Sequence, residues 1–219
     1  MAGENFWHGR SVLVTGLTGF VGTALARRLI RLGADVTGVV RDLNKRVHPG
    51  FLDQCNVVLG DVCDQDLIRR TMASYDCSVV FHLAASSIVG ASSSDPTSTF
   101  MTNVMGTVSI LEAAKRMPVC PSVVVASSDK AYGVAPVPYD EATTPLMPRG
   151  PYDCSKACAD LIAFSFAHEY SLPIAVTRCA NVFGPGDMNL SRLFPRTVLN
   201  IMRGDAPVIY TGSTRMLRE

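Results

Sequence analysis

The chain has 219 residues, of which 47% are hydrophobic and 18% charged, and its formal net charge at pH 7 is +1. This length and apolar content are enough for one sizeable α/β core. The basic residues are scattered, so the chain lacks the basic surface typical of nucleic-acid-binding proteins. No apolar run reaches the length of a membrane span, residues 1–10 lack the apolar segment of a signal peptide, and the cysteines lack zinc-site spacing. We therefore expect a cytoplasmic protein with no membrane, nucleic-acid or metal partner.

Strand and helix patterns alternate along most of the chain. β-Branched runs predict strands near residues 11–15, 35–40, 56–59, 78–83, 122–126 and 174–177. Apolar residues at helical spacing predict helices near 21–32, 64–74, 98–117 and 151–171. Pro96 is expected to precede the third of these helices, and Pro173 to follow the fourth. The alternation predicts an α/β fold with a doubly wound parallel sheet covered by helices on both faces.

A glycine-rich turn follows the first predicted strand. Gly16 permits the turn, Gly19 lets the backbone approach a pyrophosphate, and Gly22 allows the next helix to pack closely. The N-terminus of that helix favours an anion. The order of strand, turn and helix predicts a dinucleotide site, with cofactor contacts expected from Gly16, Thr18, Gly19, Phe20, Val21 and Gly22.

Tyr152 and Lys156 are four residues apart in a predicted helix, so they share one face of it. A phenol is a weak base at neutral pH, and a nearby ammonium favours its ionised form. The alternative is that the two residues form an ordinary amphipathic helix face, which gives the same spacing. Preceding this pair in the chain, the segment from Ser127 to Gly133 contains two hydroxyls, an acid and a base (Ser127, Ser128, Asp129 and Lys130). Together these residues predict proton-transfer chemistry.

The glycine turn, the Ser127–Gly133 segment and the Tyr152/Lys156 pair together resemble an extended short-chain dehydrogenase/reductase of the NAD-dependent epimerase/dehydratase family. Further segments match in the same order along the chain: 60–62, 81–85, 103–107 and 178–186. The resemblance implies a Rossmann-like NAD(P)-binding domain over residues 1–177 that carries the catalytic residues. It also implies a substrate-binding region that begins at residue 178, partial because members of the family continue well past a segment like 212–219.

The resemblance implies further cofactor contacts, from Asp61, Val62, Leu83, Ala84, Ala85, Tyr152 and Lys156. Asp61 also has the position of a helix cap. Asp42 lies 20 residues beyond Gly22, where an acid favours a free ribose 2′-hydroxyl, whereas Arg41 beside it favours a 2′-phosphate. The segment around Arg41 resembles that of the NADP-dependent GDP-mannose 4,6-dehydratases. NADP is therefore favoured slightly over NAD, and an exposed strand-end charge is the alternative for Arg41.

The acid–base pair after the serines distinguishes two chemistries within the family. The segment 127–133 and residues 6–10 look most like those of the CDP-glucose 4,6-dehydratases, whereas 4-epimerases usually have small or apolar residues after the serines. The resemblance implies that Ser128 positions the sugar 4-hydroxyl, that Tyr152 removes its proton, and that Asp129 and Lys130 assist the loss of water across carbons 5 and 6. A loop salt bridge between Asp129 and Lys130 is the structural alternative.

The resemblance also implies a nucleotide-sugar substrate, with contacts from Ser127, Asn181 and Arg192, and a homodimer formed through the Tyr152 helix and the helix before it. The Ser-rich segment 86–98 either covers the cofactor and substrate or is a flexible loop. Three functions stay open: a 4,6-dehydratase, which is favoured, a 4-epimerase, and a non-catalytic NAD(P)-binding protein.

Overall fold

A computed structural model describes residues 6–43, 50–211 and 215–217; parts of the predicted substrate region, residues 212–214 and 218–219, lie outside this set. Six parallel strands form one sheet in the order β3-β2-β1-β4-β5-β6. They are β1 (Ser11–Thr15), β2 (Asp35–Val40), β3 (Asn56–Leu59), β4 (Val79–His82), β5 (Ser122–Ala126) and β6 (Ile174–Thr177). The predicted doubly wound parallel sheet is confirmed, and only the fourth strand is shorter than expected, by one residue at each end.

Helices cover the sheet, and their bounds are α1 (Phe20–Arg31), α2 (Gln65–Ser74), α3 (Val89–Ser94), α4 (Pro96–Phe100), α5 (Gly106–Lys115) and α6 (Pro151–Tyr170). The single helix predicted near 98–117 is in fact α4 and α5 joined by a π-helical turn, Met101–Met105. Pro96 is the first residue of α4 rather than the residue before it, because the first turn of a helix tolerates a missing backbone N–H. The Ser-rich segment 86–98 contains α3 and the start of α4, so it is largely helical rather than the loop considered from the sequence.

Alternate residues of β1 enter two hydrophobic clusters on opposite faces of the sheet. Leu13 packs in one cluster with residues of α2 and α5, such as Ile68 and Ile110. Val12 and Val14 pack in the other, which α1 covers. Strands buried on both faces read as continuous apolar runs, which is why the central strands were predictable from their β-branched residues.

The chain divides into two compact units, residues 1–180 and 181–219. The second unit contains α7 (Leu193–Met202) and an antiparallel pair of strands, β7 (Ile209–Thr211) and β8 (Arg215–Leu217). Within it the rings of Phe183 and Phe194 stack at 4.1 Å. The assignment of this unit to substrate binding stays a prediction. Among the described residues, no helix is both long and apolar enough to span a membrane.

Candidate active site

The carboxyl ends of all six parallel strands lie at the same edge of the sheet. The strand order reverses between β1 and β4, and at such a point the loops diverge and leave a crevice in which ligands bind. In this protein the segments that follow β1 and β4 contact each other closely. The backbone N–H groups of Leu83 and Ala84 donate to the Thr15 Oγ1 atom at 3.2 and 3.1 Å. The topology therefore places the glycine turn and the Leu83–Ala85 segment at one crevice.

The glycine turn has the geometry of a dinucleotide cradle. Gly16 has a φ of +72°, which favours glycine, and a Cβ atom there would lie 2.9 Å from the Ala84 nitrogen. A Cβ atom on Gly22 would overlap the Gly16 carbonyl group, so α1 packs on the turn only because residue 22 is glycine. Gly19 begins α1 without a side-chain cap, and the first turn of α1 carries no acidic residue. This helix N-terminus therefore fits a pyrophosphate.

Charged side chains follow β2 and β3. The Arg41 Nη1 and Asp61 Oδ2 atoms are 3.7 Å apart, and these side chains are 67% and 44% exposed. Exposed ion pairs of this kind contribute only about 0–1 kcal/mol, so Arg41 can leave Asp61 at little cost. Asp61 does not cap α2, since Asp64 does so by accepting from the Leu67 N–H at 2.9 Å. The Val62 side chain is buried in the core, so a cofactor contact there would have to use its backbone.

Two hydrogen bonds join the last residue of β5 and the residue after it to α6. Lys156 Nζ donates to the Ala126 carbonyl at 2.7 Å, and Ser127 Oγ donates to the Lys156 carbonyl at 3.3 Å. Ser127 and Lys156 are both buried. Burial lowers the pKa of Lys156 to about 8, so most of the population still carries a charge at neutral pH. The structure thus places a buried ammonium group beside the segment with the predicted acid–base residues.

Asp129 and Lys130 lie in a short 3₁₀ turn, Asp129–Tyr132, that follows β5, and Ser128 is the N-cap of this turn. The Ser128 hydroxyl donates to Asp129 Oδ1 at 3.1 Å and accepts from the Lys130 backbone N–H at 3.2 Å. Lys130 is exposed. Among the residues that the structure describes, no ion pair joins Asp129 to Lys130, so the loop salt bridge considered from the sequence is wrong.

Tyr152 lies in the first turn of α6, where it is partly buried. Lys156 follows one turn later on the same face. The Ser155 hydroxyl donates to the Tyr152 carbonyl at 2.7 Å and accepts from Asn103 Nδ2 at 2.8 Å. The Tyr152 end of α6 is therefore tied to the π-helical turn that contains Asn103.

Sequence reasoning missed a buried polar network that centres on His82, although it quoted the segments that contain the network. The His82 ring bonds to Thr15 Oγ1 at 2.9 Å and to Thr107 Oγ1 at 3.1 Å. Thr107 in turn donates to the Asn103 carbonyl at 2.7 Å, and the Asn103 side chain holds both backbone polar groups of Ser86. The network therefore connects the end of β1 with the π-helical turn. Polar residues inside otherwise apolar elements were the available signal.

The partners of His82 define its tautomer. Thr15 Oγ1 already accepts from the N–H groups of both Leu83 and Ala84, so its own proton points to His82 Nδ1. Thr107 donates its proton to Asn103, so it accepts from His82 Nε2. His82 is therefore neutral with its proton on Nε2. Complete burial, with the Lys156 charge as a smaller cause, lowers the pKa of His82 to about 3.

This low pKa predicts that acid destabilises the protein. The unfolded chain binds a proton at His82 below pH 6.5, whereas the folded chain does not until about pH 3. The stabilisation is complete above pH 6.5 and is lost progressively as the pH falls towards 3. We expect a loss of about 2 kcal/mol in the free energy of unfolding between pH 7 and about pH 5.

Urea unfolding at these two pH values measures the effect, with His82→Gln as the control variant. Glutamine does not titrate, so the unfolding free energy of the variant should change much less between these two pH values. An equal pH dependence in both proteins would contradict the assignment.

Two of the predicted substrate contacts, Ser127 and Arg192, have partners within the protein. The Ser127 hydroxyl already donates a hydrogen bond to the Lys156 carbonyl. In the second unit, Arg192 Nη1 lies 3.3 Å from Asp187 Oδ2, and the Asp187 side chain is only 4% exposed. A phosphate at Arg192 would therefore compete with a buried carboxylate. Asn181 is exposed.

The strand order and the glycine turn define a Rossmann-type protein. Residues 12–219 match the sequence profile of the NAD dependent epimerase/dehydratase family, and the chain belongs to that family. It is 35% identical to the CDP-glucose 4,6-dehydratase of Salmonella typhimurium over 89% of this chain and 58% of that protein.

Solved structures of both kinds of enzyme are similar to this fold. The dTDP-glucose 4,6-dehydratase of Bacillus anthracis, in complex with NAD, is 28% identical with a TM-score of 0.77, over 93% of this chain and 65% of that one. The UDP-glucose 4-epimerase of Thermotoga maritima, with UDP-glucose, is 28% identical with a TM-score of 0.80, over 89% and 64%. The chain thus spans less than two thirds of the length of each of these relatives.

Proposed function

We propose that the protein is a cytoplasmic nucleotide-sugar 4,6-dehydratase that uses bound NAD(P). The observation that carries this proposal is the 2.7 Å hydrogen bond from Lys156 Nζ to the Ala126 carbonyl, because it joins the Tyr152/Lys156 helix to the segment that leads into Ser128, Asp129 and Lys130. An acid–base pair beside the Tyr/Lys couple is what dehydration requires in addition to oxidation. The similarity to a CDP-glucose 4,6-dehydratase supports the same reaction class.

The glycine turn would hold the pyrophosphate of the dinucleotide, and Leu83–Ala85 would line its path along the crevice. Arg41 is the residue that would accept a ribose 2′-phosphate, since it is exposed and its partner Asp61 holds it only weakly. We therefore propose that NADP binds more tightly than NAD. Fluorescence titration with both dinucleotides tests this preference, and equal or tighter binding of NAD would contradict it.

In the first part of the proposed reaction, Ser128 orients the sugar 4-hydroxyl and Tyr152 removes its proton. The buried ammonium of Lys156, one turn from Tyr152, favours the phenolate through its charge. When bound, NAD(P) supplies the hydride acceptor at carbon 4 and later the hydride donor at carbon 6. The ketone at carbon 4 acidifies the hydrogen at carbon 5.

In the second part, Lys130 assists the removal of the proton from carbon 5, and Asp129, in its protonated form, donates a proton to the 6-hydroxyl as it leaves. The carbon–oxygen bond at carbon 6 breaks, a double bond forms between carbons 5 and 6, and one water leaves. Return of a hydride to carbon 6 and of a proton to carbon 5 would then give the 4-keto product. Ser128 orients the Asp129 carboxyl group by donating to its Oδ1 atom at 3.1 Å. The acid is therefore oriented by the same residue that orients the substrate.

Mass spectrometry of a panel of nucleotide sugars incubated with the protein tests the reaction class. Dehydration lowers the mass of one nucleotide sugar by one water. The second candidate is a 4-epimerase, which the similarity to the Thermotoga maritima structure supports. A 4-epimerase leaves the mass unchanged and forms a stereoisomer. Dinucleotide binding with no turnover of any sugar would favour the non-catalytic alternative.

Asp129→Asn should separate dehydration from oxidation. An amide cannot donate the required proton, so we expect dehydration to slow by about 10²–10⁴-fold, a typical range for general acid catalysis. Oxidation at carbon 4 should persist, so reduced nicotinamide should accumulate. Its absorbance measures this accumulation. Asp53→Asn is the matched control, because Asp53 is exposed and precedes β3, which is separated from β5 by three strands. Normal dehydration by Asp129→Asn would contradict the assigned role.

We also propose a homodimer formed through α6 and the helix before it, which comprises α4, the π-helical turn and α5. Four exposed apolar side chains lie on these elements, with 44–68% of each accessible: Met101, Met105, Leu161 and Phe164. Exposed apolar side chains on adjacent helices are typical of interfaces. Sedimentation velocity should give a dimer, and a monomer at micromolar concentration would contradict this proposal.

A further inference from the structure

We propose that Arg178 is a positioning residue that, with Asp160 and Tyr132, fixes the turn carrying Ser128, Asp129 and Lys130 against α6. We call these three residues the Arg178 cluster. The catalytic consequence rests on the proposed function, whereas the structural role can be measured without it. The sequence indicated Arg178 only as the first residue of a matching segment.

Arg178 and Asp160 form a two-pronged ion pair. Arg178 Nε donates to Asp160 Oδ2 at 2.7 Å, and Nη2 donates to Oδ1 at 3.1 Å. The Asp160 side chain is only 5% exposed, so its charge depends on this partner. The hydrogen bonds to Asp160 raise the pKa of Arg178. Asp160 lies one turn beyond Lys156, so the pair anchors the end of β6 to the same face of α6 that carries Tyr152 and Lys156.

The third nitrogen of Arg178 reaches the turn itself. Arg178 Nη1 donates to the Tyr132 hydroxyl at 2.8 Å, and the guanidinium carbon lies 5.0 Å from the centre of the Tyr132 ring. Tyr132 is the last residue of the turn and is 3% exposed. The Asp129 backbone N–H also donates to the Cys179 carbonyl at 3.1 Å. The segment after β6 therefore holds both ends of the turn.

The cluster uses a property that only arginine has. All three guanidinium nitrogens are engaged, two with the carboxylate and one with the phenol, in directions fixed by the planar group. A lysine ammonium keeps the charge but cannot hold Asp160 and Tyr132 in this geometry. Arg178→Lys therefore separates position from charge. A displacement of about 1 Å in a catalytic group can cost about 10²-fold in rate.

The experiment compares Arg178→Lys and Tyr132→Phe with the wild type and with Arg69→Lys, a control in the exposed ion pair with Asp66. Hydrogen–deuterium exchange of amides 128–133, NAD(P) affinity, and kcat and KM are measured for each protein. For Arg178→Lys we expect faster exchange confined to these amides, unchanged NAD(P) affinity, and a kcat lower by about 10²-fold with little change in KM. Tyr132→Phe should show the same pattern with a smaller effect, since it loses a single hydrogen bond.

Unchanged exchange at 128–133 in both variants would overturn the proposal. So would an equal loss of NAD(P) affinity and kcat, because that pattern indicates general unfolding. If Arg178→Lys does not fold, Tyr132→Phe alone decides between these outcomes. If the wild type dehydrates no nucleotide sugar, the proposed function fails, and faster local exchange with retained NAD(P) binding still supports the positioning role.

Discussion

Replacing Tyr152 with phenylalanine is expected to lower turnover by about 10³-fold while NAD(P) binding is retained. The variant loses one oxygen atom, which is the base proposed for the sugar 4-hydroxyl. The ring remains, so the first turn of α6 and its tie to Asn103 through Ser155 should persist. Steady-state kinetics and a dinucleotide titration on the same preparation measure both quantities.

Tyr170→Phe is the matched control for this substitution. Tyr170 ends the same helix and is 48% exposed, and the proposed reaction does not use it. Its turnover should equal that of the wild type. Turnover by Tyr152→Phe close to the wild-type value would contradict the role of Tyr152 as the base.

Gly22→Ala is expected to abolish dinucleotide binding at any practical concentration. The added Cβ would overlap the Gly16 carbonyl, which is backbone and cannot swing away as a side chain would. Either α1 or the glycine turn must shift. Overpacking of this kind costs about 1–3 kcal/mol in stability, and the shift moves the helix N-terminus away from the pyrophosphate position. Titration with NAD(P) and thermal unfolding measure the two effects.

Gly150→Ala provides the same chemical change without the clash. A Cβ atom there would meet only the Asp153 side chain, at 3.8 Å, and the backbone has an extended conformation that alanine adopts readily. NAD(P) should bind this variant as it binds the wild type. Normal binding by Gly22→Ala would contradict the assignment of the turn as the dinucleotide cradle.

The sequence predicted the sheet well because its strands are buried on both faces. Val12, Leu13 and Val14 enter two different clusters, and such strands read as continuous β-branched or apolar runs. The interior of the third predicted helix was harder to predict. The helix expected near 98–117 contains a π-helical turn, and nothing in the local apolar spacing distinguishes that turn from an α-helix. The π-helical turn contains Asn103, whose side chain bonds to Ser86 and Ser155, and both of these residues are distant from it in the chain.

The site features that could not be predicted from the sequence are those that depend on contacts between distant parts of the chain. Tyr152, Lys156 and the glycines are recognisable from local spacing within one element. The His82 contacts to Thr15 and Thr107, and the Arg178 contacts to Asp160 and Tyr132, join residues on different elements. Only the folded chain brings these side chains together. Matching segments indicated where they lie, but not what they contact.

The transfer of hydrogen from sugar carbon 4 to carbon 6 is the step that distinguishes the proposed dehydratase from its alternatives. A nucleotide sugar with deuterium at carbon 4 tests it, with the product analysed by NMR and mass spectrometry. The proposal predicts a product lighter by one water, with a ketone at carbon 4 and the deuterium at carbon 6. Deuterium that remains at carbon 4, in a product with no loss of water, would contradict it.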